Sequence, residues 1–445
     1  MNFDKLTGEV IAKGHSRYEE CRQQWNRAIE KYPLAIVYCS CEEDIVNAIK
    51  WARENYITIR IRSGGHHYEG FSTGDDVLVI DVSRFNKIEV DEIKGVVYVD
   101  GGVRNREIYD NLCSKGYPFP GGGCPTVGVV GYTLGGGWGY SARFLGLGCD
   151  SLLEAQIINY NGEKIVASDF ENKDLFWALR GSGGGNFGVV TKMVFKIPPK
   201  IIGATLINIE YLNRKFEDIV SILETYQTMY DELDYRVNFK LSIYNSKIDG
   251  IGVKIIGIFY GTEKEALEVI SPLVNVEENS SLDLRYMSID KVNKTIQDAH
   301  PDYESYKSSG RFVVRKYNKD ELLSIVKTIE TVPSGCTYTA ITFYGLGGMV
   351  SEVNRDKMAF YYREAKFILG FQTVWENPMY AEVNKHWMVE KFKFLKTITK
   401  GSFVNFPMAE LSDYKDEYYG EHVQRLVQVR EKYDPKGIFE FPQGL

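Results

Sequence analysis

Apolar residues recur every three or four positions in EEDIVNAIKWARENY (42–56), and the period then changes to two in ITIRIR (57–62) before the turn SGG (63–65). The first pattern gives one apolar face to a helix, the second to a strand. VLVIDVS (77–83) and GVVYVDG (95–101) read as further short strands, and REIYDNLCSKG (106–116) as a helix closed by glycine. LLEAQIINYNGEKIVAS (152–168) predicts a hairpin with Asn161-Gly162 at its turn.

The texture changes after IPPK (197–200). Longer alternating strands, ATLINIEYL (204–212), RVNFKLSIYN (236–245) and GVKIIGIFYG (252–261), are interleaved with amphipathic helices such as FEDIVSILETYQTMYDEL (216–233). CTYTAITFYG (336–345) and AKFILGFQTVW (365–375) predict two more strands, followed by a long helix beginning near Pro378. The last stretch reads as a helix and an extended tail. The expectation is an α+β protein in three parts: a first domain over 1–200, a second over 201–400 with an antiparallel sheet covered by helices, and a segment over 401–445 that returns to the first.

Composition narrows the classes. The chain has 445 residues, too many for one small core, and a formal charge of −7 with no dense Lys/Arg stripe, so nucleic acid is not an expected partner. MNFDKLTGEVIAKGHS (1–16) has no apolar leader pattern and no run of 18 apolar residues follows, which predicts a cytoplasmic protein without a membrane span. Seven cysteines without framework spacing read as free thiols. The Cys39-x-Cys41 pair lacks a matching cluster, so no metal site is expected.

Glycine is unevenly spread: 27 of 42 lie in residues 1–200. They gather in RSGGHHYEG (62–70), GGGCPTVGVVGYTLGGGWG (121–139) and GSGGGNFG (181–188). A dinucleotide fingerprint needs strand, glycine loop, then helix. Around 181–188 the order is reversed, with the helical DLFWALR before the loop and the strand VVTKMVFKI after it, so a Rossmann turn is excluded. Backbone amides of such loops can still hold a pyrophosphate.

In these three loops, together with YDPKGIF and PQ near the C-terminus, the chain resembles the berberine bridge enzyme-like, FAD-linked oxidases of the vanillyl-alcohol oxidase (PCMH-type) superfamily, from about residue 33 onward. The resemblance implies a PCMH-type two-part FAD-binding domain. It implies FAD bonded through His66 to the flavin 8α-methyl carbon and through Cys124 to ring carbon C6. Attachment through His66 alone is the alternative. A neutral imidazole and a thiolate are the right nucleophiles for those carbons. By the same resemblance, Arg62, Ser63, Gly64, Gly65, Pro125, Thr126, Gly128, Gly131, Gly135, Gly136, Gly137, Gly183, Gly184, Gly185, Asn186, Phe187, Gly188, Val189 and Asn405 surround the cofactor, with Tyr132 turned to the flavin pyrimidine. His67 is read as a hydrogen-bonded turn residue.

Tyr68 is expected to contact substrate, and Gln372 lies where some relatives place a carboxylate; an amide orients but takes no proton. Many relatives carry Asn-Tyr where this chain has Asn405-Phe406 in FVNFP. A phenyl ring cannot accept a proton, so the base must come from elsewhere. Alternation puts Tyr338, Thr342 and Tyr344 on one strand face, making Tyr344 or Tyr338 the candidate acceptor, with a core role as the alternative. The implied activity is oxidation of a C–OH or C–H group of a small donor, a sugar, an oligosaccharide or a hydroxylated natural product. Molecular oxygen would be the acceptor and hydrogen peroxide the product. A dehydrogenase using another acceptor, or a flavin-carrying binding protein without activity, are the alternatives.

Overall fold

Both periodicities resolve into the elements they predict, in a computed structural model that describes residues 2–278 and 280–445. Sixteen strands among the described residues form three sheets. The first holds β1 (Glu9–Ala12), β2 (Ala35–Tyr38), β3 (Ile59–Arg62) and β4 (Leu78–Asp81), in the order β1-β2-β4-β3. Its last three strands run parallel and β1 antiparallel to them. Every position of β4 is buried, as parallel strands covered on both faces require. The helix Glu42–Glu54 covers one face with Ile45, Ala48, Ile49 and Ala52, the i, i+3, i+4, i+7 stripe seen in the sequence.

The second sheet is antiparallel: β5 (Ile88–Asp91), β6 (Val96–Asp100), β7 (Leu152–Ile158), β8 (Lys164–Ser168) and β9 (Val189–Lys196), ordered β5-β6-β9-β7-β8. The β7–β8 hairpin turns through Asn161-Gly162, with Gly162 at φ +82°, a conformation glycine alone adopts without strain.

The third sheet takes its seven strands from residues 203–375 and is antiparallel throughout. It contains β10 (Gly203–Tyr211), β11 (Val237–Ser246), β12 (Gly250–Phe259), β13 (Ser281–Ser288), β14 (Tyr306–Val313), β15 (Cys336–Gly345) and β16 (Phe367–Trp375), ordered β13-β10-β12-β11-β15-β16-β14. One face is apolar: Ile207, Leu241, Phe343 and Phe371 join the main core, and Phe371 stacks on Trp387 of the long helix Ala381–Ile398. The other face carries Asn208, Lys240, Ser242, Thr342, Tyr344 and Gln372, and closes over the glycine loops.

β14 carries no signature in the sequence. YKSSGRFV has neither alternation nor an apolar run, yet all eight residues are buried. Its charges are satisfied across the fold instead: Lys307 Nζ pairs with Glu69 at 2.7 Å and Glu410 at 3.0 Å, and Arg311 Nη2 with Glu417 at 2.9 Å. The final segment is tied to the glycine loops by side-chain bonds. Asn405 Nδ2 donates to the Tyr132 carbonyl at 2.8 Å, Tyr419 Oη to the Ser182 carbonyl at 2.8 Å, and the Leu445 amide to Asn186 Oδ1 at 3.1 Å.

Candidate active site

The loop after β3 and the loop 121–128 touch backbone to backbone. A Cβ on Gly64 would overlap the Gly128 amide, so only a residue without one allows the approach. Each loop is pinned separately: Ser63 Oγ donates to the Gly101 carbonyl at 2.7 Å, Asn105 Nδ2 to the Cys124 carbonyl at 3.0 Å, and the Arg106 amide to the Pro125 carbonyl at 2.9 Å. The consequence is a convergence of side chains. The Thr126 hydroxyl lies 2.8 Å from His66 Nε2 and 3.8 Å from Cys124 Sγ.

His66 also stacks on Trp25, with centroids 5.1 Å apart and planes 25° apart. Burial, with Arg104 and His300 nearby, lowers its pKa to about 3, so the imidazole is neutral at any working pH. Burial raises the Cys124 thiol, while the Thr126 amide and hydroxyl and the Val127 amide pull it down. His67 takes the turn role expected of it, accepting from the Glu69 amide at 3.2 Å.

These loops and 182–188 wall a cavity of about 730 Å³. Ser63, Gly64, Gly65, Gly128, Gly131, Gly183, Gly184, Gly185, Gly188 and Asn405 line it with His66 and Cys124. Apart from chain neighbours and the backbone of its own helix, a Cβ on Gly131 would meet no described atom within 4 Å, and one on Gly184 only Leu134 at 3.7 Å, so side chains there would reach into the cavity that both residues line. Trp25 Nε1, Arg60 Nε and Asn105 Oδ1, from residues on its wall, are buried polar atoms without hydrogen-bond partners among the described residues. A glycine cradle with unsatisfied donors and an acceptor fits a large, polar, phosphate-bearing cofactor.

Several expected cofactor contacts lie behind this wall instead. Arg62 is consumed in a buried ion pair with Asp81 and a 2.8 Å bond to the Cys21 carbonyl. Gly135, Gly136 and Gly137 give close approach to Asn405, Phe360 and the Tyr132 ring. Asn186 bonds the Ser182 carbonyl and the C-terminal amide, Phe187 is core, and Val189 packs under the first sheet. Tyr132 lines the cavity with its ring, but its hydroxyl donates to the Pro120 carbonyl at 3.0 Å rather than offering a polar group to a ligand.

The opposite wall is the polar face of the third sheet. Tyr338, Ala340, Thr342 and Tyr344 alternate into the cavity as strand geometry requires. Tyr344 is held edge-on by Trp138 at 4.8 Å and tilted against Phe406 at 5.2 Å. Phe406 stacks on Tyr68, which meets Tyr306 edge-on at 5.3 Å. Gly310 and Gly370, paired across β14 and β16, make room: a Cβ would come 2.6 Å from Phe406 Cδ2 and 2.7 Å from Tyr344 Cε2.

Burial raises the Tyr344 pKa to about 12 and those of Tyr338 and Tyr68 further, so all three remain protonated at neutral pH. They can donate hydrogen bonds, and burial disfavours the phenolate form that a proton-accepting Tyr344 or Tyr338 would use. Gln372 Nε2 donates to Glu304 Oε2 at 3.4 Å. Glu304, Lys240 and His300, which sequence reasoning did not single out, share this wall. Lys240 was accessible in principle, since Asn238, Lys240 and Ser242 form the polar half of an alternating strand.

The profile described as an FAD binding domain matches residues 33–168, and that described as berberine and berberine like matches residues 402–445. The FAD-linked oxidoreductase YgaK of Bacillus subtilis (strain 168) is 33% identical over 450 residues, spanning 100% of this chain and 98% of its own. The chain belongs to the berberine bridge enzyme-like FAD-linked oxidoreductases. Among solved members of this fold, Physcomitrella patens BBE-like 1 superposes with a TM-score of 0.91 at 23% identity, over 99% of this chain and 97% of its own. A chitooligosaccharide oxidase gives 0.90 at 21%, with the same coverage. As a BBE-like enzyme the chain is an FAD-dependent oxidoreductase. No helix among the described residues is long and apolar enough to cross a membrane.

Proposed function

We propose that this BBE-like enzyme oxidises a C–OH or C–H group of a small hydroxylated donor, with FAD bonded to both His66 and Cys124 and molecular oxygen as final acceptor. The observation that carries the bicovalent reading is the Thr126 hydroxyl, which touches both nucleophiles. When bound, FAD accepts two electrons and a proton equivalent from the donor. The protein's own residues do the rest. His66, neutral and stacked on Trp25, and Cys124 fix the ring's edge, so the cavity can stay open to a bulky donor without losing cofactor. Asn208, Ser242, Thr342 and Gln372 offer hydrogen bonds along the sheet, and Trp138 and Tyr140 offer apolar faces, a combination suited to a sugar or a hydroxylated aromatic.

We further take residues 1–200 and 401–445 as the FAD-binding part and 201–400 as the part that shapes the donor site. Seven free cysteines support a cytoplasmic location. The test is intact mass after denaturation, for wild type, His66→Ala and Cys124→Ala. Retention of one FAD by all three supports two bonds; retention only where His66 is present means that Cys124 is a neighbour of the ring. Wild type that releases all its FAD sinks the reading. Anaerobic bleaching by a donor panel, followed by peroxide detection on admitting air, tests the reaction and the acceptor.

A further inference from the structure

Glu304 brings a carboxylate to the cavity wall. Its backbone bridges the N-terminal segment: its carbonyl accepts from the Arg27 amide at 2.7 Å, and its amide donates to the Trp25 carbonyl at 3.3 Å, beside the tryptophan stacked on His66. Its side chain turns into the cavity and is steadied by Gln372 at 3.4 Å. In the same cavity, the Lys240 side chain makes no hydrogen bond or ion pair among the described residues, and its Nζ lies 5.7 Å from the Tyr344 ring centre. Burial lowers the Lys240 pKa and raises that of Glu304, each group opposing the other's shift, and both line the same cavity.

We propose that Glu304 is the catalytic base of this enzyme, taking the hydroxyl proton of the donor, with Lys240 facing the oxygen that loses it. The proposal rests on the FAD-linked reading above and deepens it. In the step, the donor O–H bond breaks and its proton goes to the Glu304 carboxylate. The adjacent C–H bond breaks and its hydrogen leaves with the electron pair, as a hydride that bound FAD would accept, while the C=O bond forms. The Lys240 ammonium stabilises the developing negative oxygen. Burial makes each tyrosine of the wall a poorer proton acceptor than an ordinary phenol, and the Phe406 ring accepts no proton. The family's Asn-Tyr function would thus have passed to a carboxylate on a different element.

The titratable groups facing Glu304 are Lys240 on β11, Tyr338 on β15, Tyr306 on β14, Tyr68 and Cys124. Burial raises the Glu304 pKa above its ordinary 4.5 and Lys240 opposes that rise, so Lys240→Met moves it higher still. The experiment has two arms on the flavin-loaded protein. Without donor, the visible absorption is titrated from acid to alkaline pH. The expected result is a step in wild type that is lost in Glu304→Gln and displaced to higher pH in Lys240→Met. With donor, anaerobic bleaching is followed using cellobiose, chitobiose, mannitol and cinnamyl alcohol; Glu304→Gln should be bleached about 100-fold or more slowly, with dithionite reduction unchanged. A Glu304→Gln variant bleached as fast as wild type, or titrating as wild type does, overturns the proposal alone. Wild type that no donor bleaches overturns the reading of function and the proposal with it.

Discussion

The rings of Tyr68 and Phe406 lie face to face, 5.1 Å between centroids and 5° from parallel, joining the loop after His66 to the C-terminal segment. The position where many relatives carry a tyrosine is here an apolar partner for another one. Tyr68→Phe keeps the stack and removes only a phenol that burial holds protonated. Its donor-bleaching rate should fall by about tenfold or less, well short of Glu304→Gln. Phe406→Ala removes the stack, and a half-buried aromatic lost from such a contact should cost about 1–3 kcal/mol in denaturant unfolding.

Gly64 is the point at which the His66 and Cys124 loops meet. Gly64→Ala must part them, and most of the protein should then release flavin on denaturation although Cys124 and His66 are untouched. Thr126→Val keeps the loops together and removes the shared hydroxyl. It should slow covalent attachment by roughly fivefold, the worth of about 1 kcal/mol for one hydrogen bond. The time course of flavin attachment to apoprotein, read by intact mass, distinguishes the two.

Three cavity histidines resist protonation. Burial lowers the pKa of His66 to about 3 and those of His67 and His300 to about 4, against an ordinary 6.5. Below pH 6.5 the unfolded chain takes up protons that the folded chain refuses. Their contribution is therefore present above 6.5 and is lost as pH falls toward 4, by about 1.4 kcal/mol per unit for each group well inside that window. Glu69 and Glu304, whose pKa values burial raises, act in the opposite direction. The flavin-free unfolding midpoint should drop on acidification, and His67→Asn should flatten the slope.

Lys307 sits between Glu69 and Glu410, and its side chain and that of Glu69 are each only 8% exposed. Removing the cation leaves the Glu69 carboxylate buried and uncompensated. Lys307→Met should destabilise the protein by about 3 kcal/mol or more, while the double variant Lys307→Met/Glu69→Leu should recover part of that loss. Chemical denaturation of the two variants at neutral pH measures both effects.

Periodicity and glycine clustering made the helices at 42–56 and 216–233, the β7–β8 hairpin and the two strands that bring Tyr338, Tyr344 and Gln372 into the site readable in the linear chain. They are local features: a helix stripe or a strand face repeats over neighbouring residues, and a glycine loop announces itself by composition. His66 and Cys124 were candidates for the same reason, each lying inside a motif, and both line the cavity. The glycine loops were readable, but not which glycines face the cavity. Gly131 and Gly135 look alike in sequence, yet one borders open space and the other packs against Asn405.

What the tertiary structure alone decided is convergence. β14 has no pattern because its buried charges are neutralised by Glu69, Glu410 and Glu417, residues far away along the chain. Glu304 lies in an ordinary polar stretch, HPDYESYK, and takes its place beside Gln372 and opposite Lys240 only when the sheet forms. Burial, which keeps the wall's tyrosines protonated, likewise arises from every layer packed around them. Short-range periodicity encodes which residues share a face; desolvation and charge pairing depend on distances in space that no local pattern contains.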